Sequence, residues 1–155
     1  MTFPTVSGSN LLREKMTLPQ GFHGNFNLLF IPFEQWQQVE VDSWIGLAVE
    51  LEEQFEGLTY YELPTFQDRN AFFKMFINEG MRAGIPDPKI RKHTITLFLD
   101  KSDFRAALKM ADEAHIYVLL VDKKGKEFFR TRGSYSPDGE ANLRKLLGQL
   151  TRGWR

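Results

Sequence analysis

Two nearly continuous apolar runs restrict the folds open to this chain. One covers residues 26–33 (FNLLFIPF) and the other covers residues 116–121 (IYVLLV). Runs this short and this apolar are typical of strands that are buried on both faces of a sheet. Such a sheet needs covering segments on both sides. At 155 residues, the chain is long enough to supply them as one domain over residues 1–155.

Amphipathic helices are predicted between the strands. The first has one apolar stripe at helical spacing, formed by Val41, Trp44, Ile45, Ala48, Leu51 and Phe55. Shorter patterns predict strands at residues 58–63, 94–99 and 127–132, and helices at residues 67–79, from Ser102, and from Ser136. Residues 81–93 are expected to form an exposed basic loop, and residues 1–25 an irregular lead-in with one short strand at residues 15–18.

The resulting order, β-α-β-α-β-α-β-β-α, predicts an α/β fold with three layers, α/β/α. We expect a mostly parallel central sheet and a C-terminal antiparallel hairpin, in which residues 127–132 form an edge strand. An edge strand leaves room for a homodimer.

The sequence contains no cysteine. This excludes a disulfide, a thiol nucleophile and a Cys-ligated zinc site. There is no apolar run long enough to span a membrane and no signal-peptide pattern at the N-terminus, so we expect a cytoplasmic protein.

The charges are balanced in total but uneven along the chain. Residues 1–80 carry 4 Lys and Arg against 11 Asp and Glu, whereas residues 81–155 carry 16 against 9. This split is expected either from two halves that pair within one domain or from a surface suited to a charged partner. A net charge of zero does not favour binding to nucleic acid.

The element order resembles the thioredoxin-like superfamily, and the layout is most similar to the peroxiredoxins. The segments TLFLD (residues 96–100) and IYVLLVDKKGK (residues 116–126), followed by a Ser-Pro helix start, carry this resemblance. In peroxiredoxins, a proline ends the first core strand and the peroxidatic Cys lies seven residues later. Here Pro32 is followed by Trp36 at the fourth place and Val39 at the seventh. We therefore expect neither peroxidase nor thiol oxidoreductase activity.

A weaker similarity links the chain to the mitochondrial ATP synthase assembly factor ten family. It rests on Leu120-Val121-Asp122, the turn to Gly125, and a strand that ends Arg130-Thr131-Arg132-Gly133. This resemblance implies an assembly or chaperone-like role.

Candidate binding residues lie in two segments. Trp36, Gln37 and Gln38 stand at the entry to the first helix, where free N–H groups and an aromatic ring suit an anionic, carbonyl or peptide ligand. Alternatively, Trp36 packs as a plug in the space that the missing cysteine leaves. The second segment contributes Arg82, Arg91 and His93, which suit an acidic partner or form a solvated loop.

The leading hypothesis is a non-redox thioredoxin-like module that binds a protein or peptide. The alternative is a thiol-independent enzyme or small-ligand binder that uses His93 or His115 with Asp100 or Asp122. The three histidines show no metal-ligand spacing, so we predict no metal, no cofactor and no catalytic residue.

Overall fold

The computed structural model describes residues 2–151, which form eight strands and five helices. The strands are β1 (Val6–Asn10), β2 (Lys15–Leu18), β3 (Phe26–Ile31), β4 (Leu58–Glu62), β5 (Thr65–Gln67), β6 (Ile95–Leu99), β7 (Tyr117–Asp122) and β8 (Glu127–Arg132). The helices are α1 (Gln38–Gln54), α2 (Ala71–Gly84), α3 (Pro88–His93), α4 (Lys101–Ala107) and α5 (Pro137–Thr151), and a short 3₁₀ turn, Gln35–Gln37, precedes α1.

The strands form two four-stranded sheets that meet at β4 and β5. Their orders are β2-β1-β6-β5 and β4-β3-β7-β8. Only Leu63 and Pro64 separate β4 from β5, and each is hydrogen-bonded to an adjacent strand, β3 or β6. The Leu63 N–H donates to the Phe30 carbonyl at 2.8 Å, and the Leu97 N–H donates to the Pro64 carbonyl at 2.9 Å. The sheets therefore continue into each other, with β8 at one edge as expected.

The expectation of a mostly parallel sheet is wrong. Within residues 2–151, only the β3–β4 and β5–β6 pairings are parallel, while β1–β2, β1–β6, β3–β7 and β7–β8 are antiparallel. The expectation fails at β7, which lies beside β3 and pairs with it antiparallel. Because β3 and β4 are parallel, β7 runs opposite to both.

Each face of the sheet has its own core. On one face, α1 and α5 cover strand residues such as Phe30 and Leu120, with Trp44, Leu51 and Leu147 among the helix residues. The other face is covered by the lead-in and α4. Its core includes Phe3, Phe22 and Phe104, packed on Leu29 and Leu119. Alternate residues of β3 and β7 thus point into different cores, and every β3 residue is buried, as its apolar run indicated.

Three segments differ from expectation in detail. The lead-in contains the antiparallel hairpin β1–β2 rather than one short strand. The predicted helix at residues 67–79 starts and ends later, as α2. Residues 81–93 are not one loop, since they contain the end of α2 and all of α3, which Asp87 caps through the Lys89 N–H at 2.9 Å.

Candidate functional site

A large open groove lies between α1 and α2. Its volume is about 1120 Å³, and β4 and β5 form its floor. The helices α1 and α2 form the walls of the groove. Buried side chains anchor α1 to the core, whereas no residue of α2 is fully buried. The Thr96 hydroxyl donates to Asn78 at 2.8 Å, and Phe73 and Phe98 pack edge to face, so α2 is attached to β6. The helix therefore lies beside α1 without closing on it.

Three glycines line the groove and face open space. They are Gly46 on α1 and Gly80 and Gly84 on α2. A Cβ atom placed at any of the three would meet no heavy atom within 4 Å. The two helices therefore face each other across open space rather than in close packing.

The upper part of the groove is apolar. Ile45 on α1 faces Phe76, Ile77 and Met81 on α2, and Phe66 contributes from β5. Phe76 is 69% exposed. Helical spacing predicts an inward face formed by Phe72, Phe73, Phe76 and Ile77, so the exposure of Phe76 contradicts that prediction. Phe72, one turn earlier on α2, is also exposed but does not line the groove. An exposed apolar surface of this kind commonly marks a binding site.

Acidic side chains also line the groove. Glu62, at the end of β4, is only 7% exposed. The Gln38 side-chain amide donates to Glu62 Oε1 at 3.0 Å and to Asp42 Oδ1 at 2.9 Å. Burial raises the pKa of Glu62, the Gln38 hydrogen bond lowers it, and the nearby Asp42 charge raises it again, so that the pKa stays above its usual range. Gln38 is thus brought into the groove with two acidic residues.

Gln37 is fully buried and holds the loop before α1. Its Oε1 accepts hydrogen bonds from the Phe33 N–H at 2.8 Å and the Glu34 N–H at 3.3 Å. Its amide nitrogen donates to the Glu113 carbonyl. These bonds satisfy the side chain and leave it facing the protein, away from any ligand outside.

Trp36 is 55% exposed, so the interpretation as a buried plug is wrong. Its ring packs edge to face on His115, with 6.1 Å between ring centroids. His115 Nδ1 lies 2.8 Å from Oε2 of the buried Glu40, whose other oxygen accepts the Ile116 N–H at 3.1 Å. This Glu40–His115 pair was not predicted. Its sequence signal is that Glu40 precedes Val41 and lies one turn before Trp44, on the buried side of α1.

Arg82 and Arg91 bind the backbone of the protein itself. Arg82 Nε donates to the Leu11 carbonyl at 2.7 Å. Arg91 Nε donates to the Ile85 carbonyl at 2.6 Å, and one of its terminal nitrogens donates to the Arg82 carbonyl at 2.8 Å. Both guanidinium groups therefore tie the end of α2 to its neighbours, and they do not converge on a common surface site.

His93 connects α3 to α1 and β4. Its ring stacks on Tyr60 at 4.2 Å, Nδ1 lies 2.7 Å from the Lys89 carbonyl, and Nε2 lies 3.1 Å from Glu52. Burial lowers the pKa of His93, but the hydrogen bonds to Glu52 and Lys89 outweigh it, so the pKa is raised. Burial raises the pKa of Glu52, yet the bonds from His93 and the Tyr60 N–H leave it lowered.

The two aspartates that sequence reasoning placed beside the histidines have local roles. Asp100 accepts the Asp103 N–H at 2.9 Å and caps α4. Asp122 accepts the Lys124 and Lys126 N–H groups, each at 2.9 Å, in the β7–β8 turn. His93 and His115 pair with glutamates of α1 instead.

No protein-family model matches the chain, and no curated protein matches it. Solved structures do. The thioredoxin domain of a thiol-disulfide oxidoreductase from Bacteroides vulgatus aligns with a TM-score of 0.58 at 18% identity, covering 95% of this chain and 96% of that one. A thiol:disulfide interchange protein from Bacteroides sp. aligns with a TM-score of 0.58 at 17% identity, over 98% and 91% of the two chains.

An exposed lipoprotein thioredoxin from Streptococcus pneumoniae also matches, with a TM-score of 0.56 at 15% identity over 92% of this chain and 98% of that one. The chain therefore has a mixed α/β, thioredoxin-like fold. It contains no cysteine, and so it lacks the active-site thiols of thiol-disulfide exchange. No helix within residues 2–151 combines the length and apolar composition that a membrane crossing requires.

Proposed function

We propose that this protein is a non-redox binding module that holds a peptide or a segment of a protein in the groove between α1 and α2. The observation that carries the proposal is the open, apolar groove, with Phe76 exposed on one wall and Ile45 on the other. An amphipathic helix laid between two helices is a common mode of peptide recognition. The absence of cysteine from the sequence supports the non-redox part of the proposal.

The resemblances in the sequence suggest the role that this binding serves. Similarity of the C-terminal strand pair to the ATP synthase assembly factor ten family favours an assembly or chaperone-like form of binding. A cytoplasmic location and a homodimer formed through the edge strand β8 also belong to this proposal.

A selection from a random peptide library displayed on phage tests the function without a known partner. The bait is the wild-type chain, and the matched baits are Gly80→Leu, which projects a bulky side chain into the groove, and Gly148→Leu. Gly148 lies on α5, away from the groove, and its Cβ would also meet nothing within 4 Å. We expect enriched peptides that bind wild type and Gly148→Leu but not Gly80→Leu. Peptides that bind all three baits equally, or no enrichment, would contradict the proposal.

A second candidate function is suggested by the Glu40–His115 pair. A buried carboxylate that accepts a hydrogen bond from Nδ1–H orients the imidazole and leaves Nε2 for proton transfer, as in general base catalysis. His115 is 55% exposed and so is accessible to a substrate. Hydrolysis of p-nitrophenyl esters that is lost in His115→Gln and retained in His93→Gln would support this candidate. Equal rates in the two variants would exclude it.

A further inference from the structure

The charge of the groove points to the chemistry of its occupant. Four acidic residues line it, namely Glu34, Asp42, Glu62 and Asp87, and no described Lys, Arg or His does. None of the four forms an ion pair within residues 2–151. Some other carboxylates within residues 2–151 are paired, for example Glu50 with Arg144 at 3.0 Å and Glu79 with Arg13 at 2.8 Å. The groove therefore concentrates negative charge that no described cation contacts directly, although the nearby His93 partly offsets the charge of Glu62.

Glu62 and Asp42 form the centre of this charge. Their oxygens lie 3.0 and 2.9 Å from one neutral amide nitrogen, that of Gln38. Two carboxylates that share one neutral donor repel each other, and Glu62 is also largely removed from water. The raised pKa of Glu62 is consistent with this environment. A cation placed between the two carboxylates would relieve both the repulsion and the cost of burial.

The surroundings favour an organic cation over a metal ion. Within residues 2–151 there is no group of three or more carboxylate or imidazole side chains that could hold a metal ion. The walls of the groove also carry the apolar side chains of Ile45, Phe76 and Met81. A lysine or arginine side chain fits both features, because its methylene groups pack on apolar walls while its charged end reaches a carboxylate.

We infer that the groove binds a basic amphipathic segment, whose apolar face packs against Ile45, Phe76 and Met81 and whose Lys or Arg side chain is held by Glu62 and Asp42. This inference rests on the proposed function and adds the charge of the ligand to it. The shape of the groove between two helices favours a helical segment.

Three synthetic helical peptides of about 14 residues test the inference. They share one apolar face and differ only in carrying Lys, Gln or Glu at every polar position. Binding to the full chain is measured by fluorescence anisotropy. We expect the Lys peptide to bind about tenfold more tightly than the Gln peptide, the Glu peptide not to bind, and the advantage of Lys to shrink as the salt concentration rises from about 0.05 to about 0.3 M.

Isosteric variants locate the effect. Glu62→Gln should weaken binding of the Lys peptide about tenfold, and Asp42→Asn about twofold to fivefold, without changing binding of the Gln peptide. Glu53→Gln is the matched control, because Glu53 is an exposed acid on α1 outside the groove. Folding of each variant is checked by its urea unfolding curve, and Asp42→Asn keeps the test decisive if Glu62→Gln fails to fold.

The outcomes separate the inference from the function beneath it. Equal affinity for the Lys and Gln peptides, with both lost in Gly80→Leu, would overturn the inference and leave the proposed function standing. The inference would also be overturned if Glu62→Gln, Asp42→Asn and Glu53→Gln weaken binding of the Lys peptide equally. That result would mean that the Lys peptide is attracted to acidic surface in general and not to the groove. Binding of all peptides unchanged by Gly80→Leu would overturn the proposed function itself.

Discussion

The double substitution Gly46→Ala and Gly80→Ala tests whether α1 and α2 stand apart. At both positions a new Cβ would meet no heavy atom within 4 Å, and both lie inside helices. Replacing a helix glycine by alanine without a clash stabilises a protein by about 0.5–1 kcal/mol, mainly by restricting the unfolded chain. The pair should therefore raise the free energy of unfolding by about 1–2 kcal/mol, and the melting temperature by roughly 2–8 °C.

The assay is urea unfolding followed by circular dichroism, with two controls. Gly148→Ala on α5, where the space is also open, should stabilise by about 0.5–1 kcal/mol. Gly139→Ala should destabilise by about 1–3 kcal/mol, because its Cβ would lie 2.9 Å from the Trp44 ring. If the groove variants lose stability as Gly139→Ala does, α1 and α2 are in close contact, and the groove does not exist in solution.

Three further predictions concern the candidate residues. Trp36→Ala should cost less than about 1 kcal/mol of stability, since the ring is 55% exposed; a loss of 3 kcal/mol or more would restore the plug interpretation. Gln37→Ala should cost about 1–3 kcal/mol in urea unfolding, because two backbone N–H groups and one carbonyl lose their partner; an unchanged unfolding curve would contradict its structural role. Because the pKa of His93 is raised above 6.5, its charged form stabilises the fold fully below pH 6.5, and this stability is lost as the pH rises through the raised pKa. His93→Gln should remove that loss in unfolding curves measured across this range, and an unaltered pH profile would show that the contact with Glu52 contributes nothing.

The sequence was sufficient for the elements whose signal is local. The apolar runs at residues 26–33 and 116–121 became the buried strands β3 and β7, and the stripe from Val41 to Leu51 became the buried face of α1. Asp122 and Gly125 form the predicted turn, where Gly125 has a φ of +87°. In each case neighbouring residues alone determine the pattern.

Strand direction could not be predicted from the same patterns. The apolar run at residues 116–121 looks the same whether its strand pairs parallel or antiparallel, so the direction of β7 beside β3 had no local signal.

The groove depends on a distance that no local pattern contains. Helical spacing places Phe72 and Phe76 on one face of α2, but it does not say whether α1 is near enough to cover them. Gln38 was named for its position at the entry to α1, and the structure places it between Asp42 and Glu62. The glycines at positions 46, 80 and 84 were a usable signal, since small residues on facing helices leave room for a third element.

Methyl-detected NMR of the chain, with the tightest peptide from the phage selection bound, tests the central claim most directly. Intermolecular NOEs should reach the methyl groups of Ile45, Ile77 and Met81, which line the groove, and not those of Leu147, which lies on the buried face of α5. NOEs confined to other surfaces, or unchanged when Gly80→Leu projects a side chain into the groove, would contradict a binding module that works between α1 and α2.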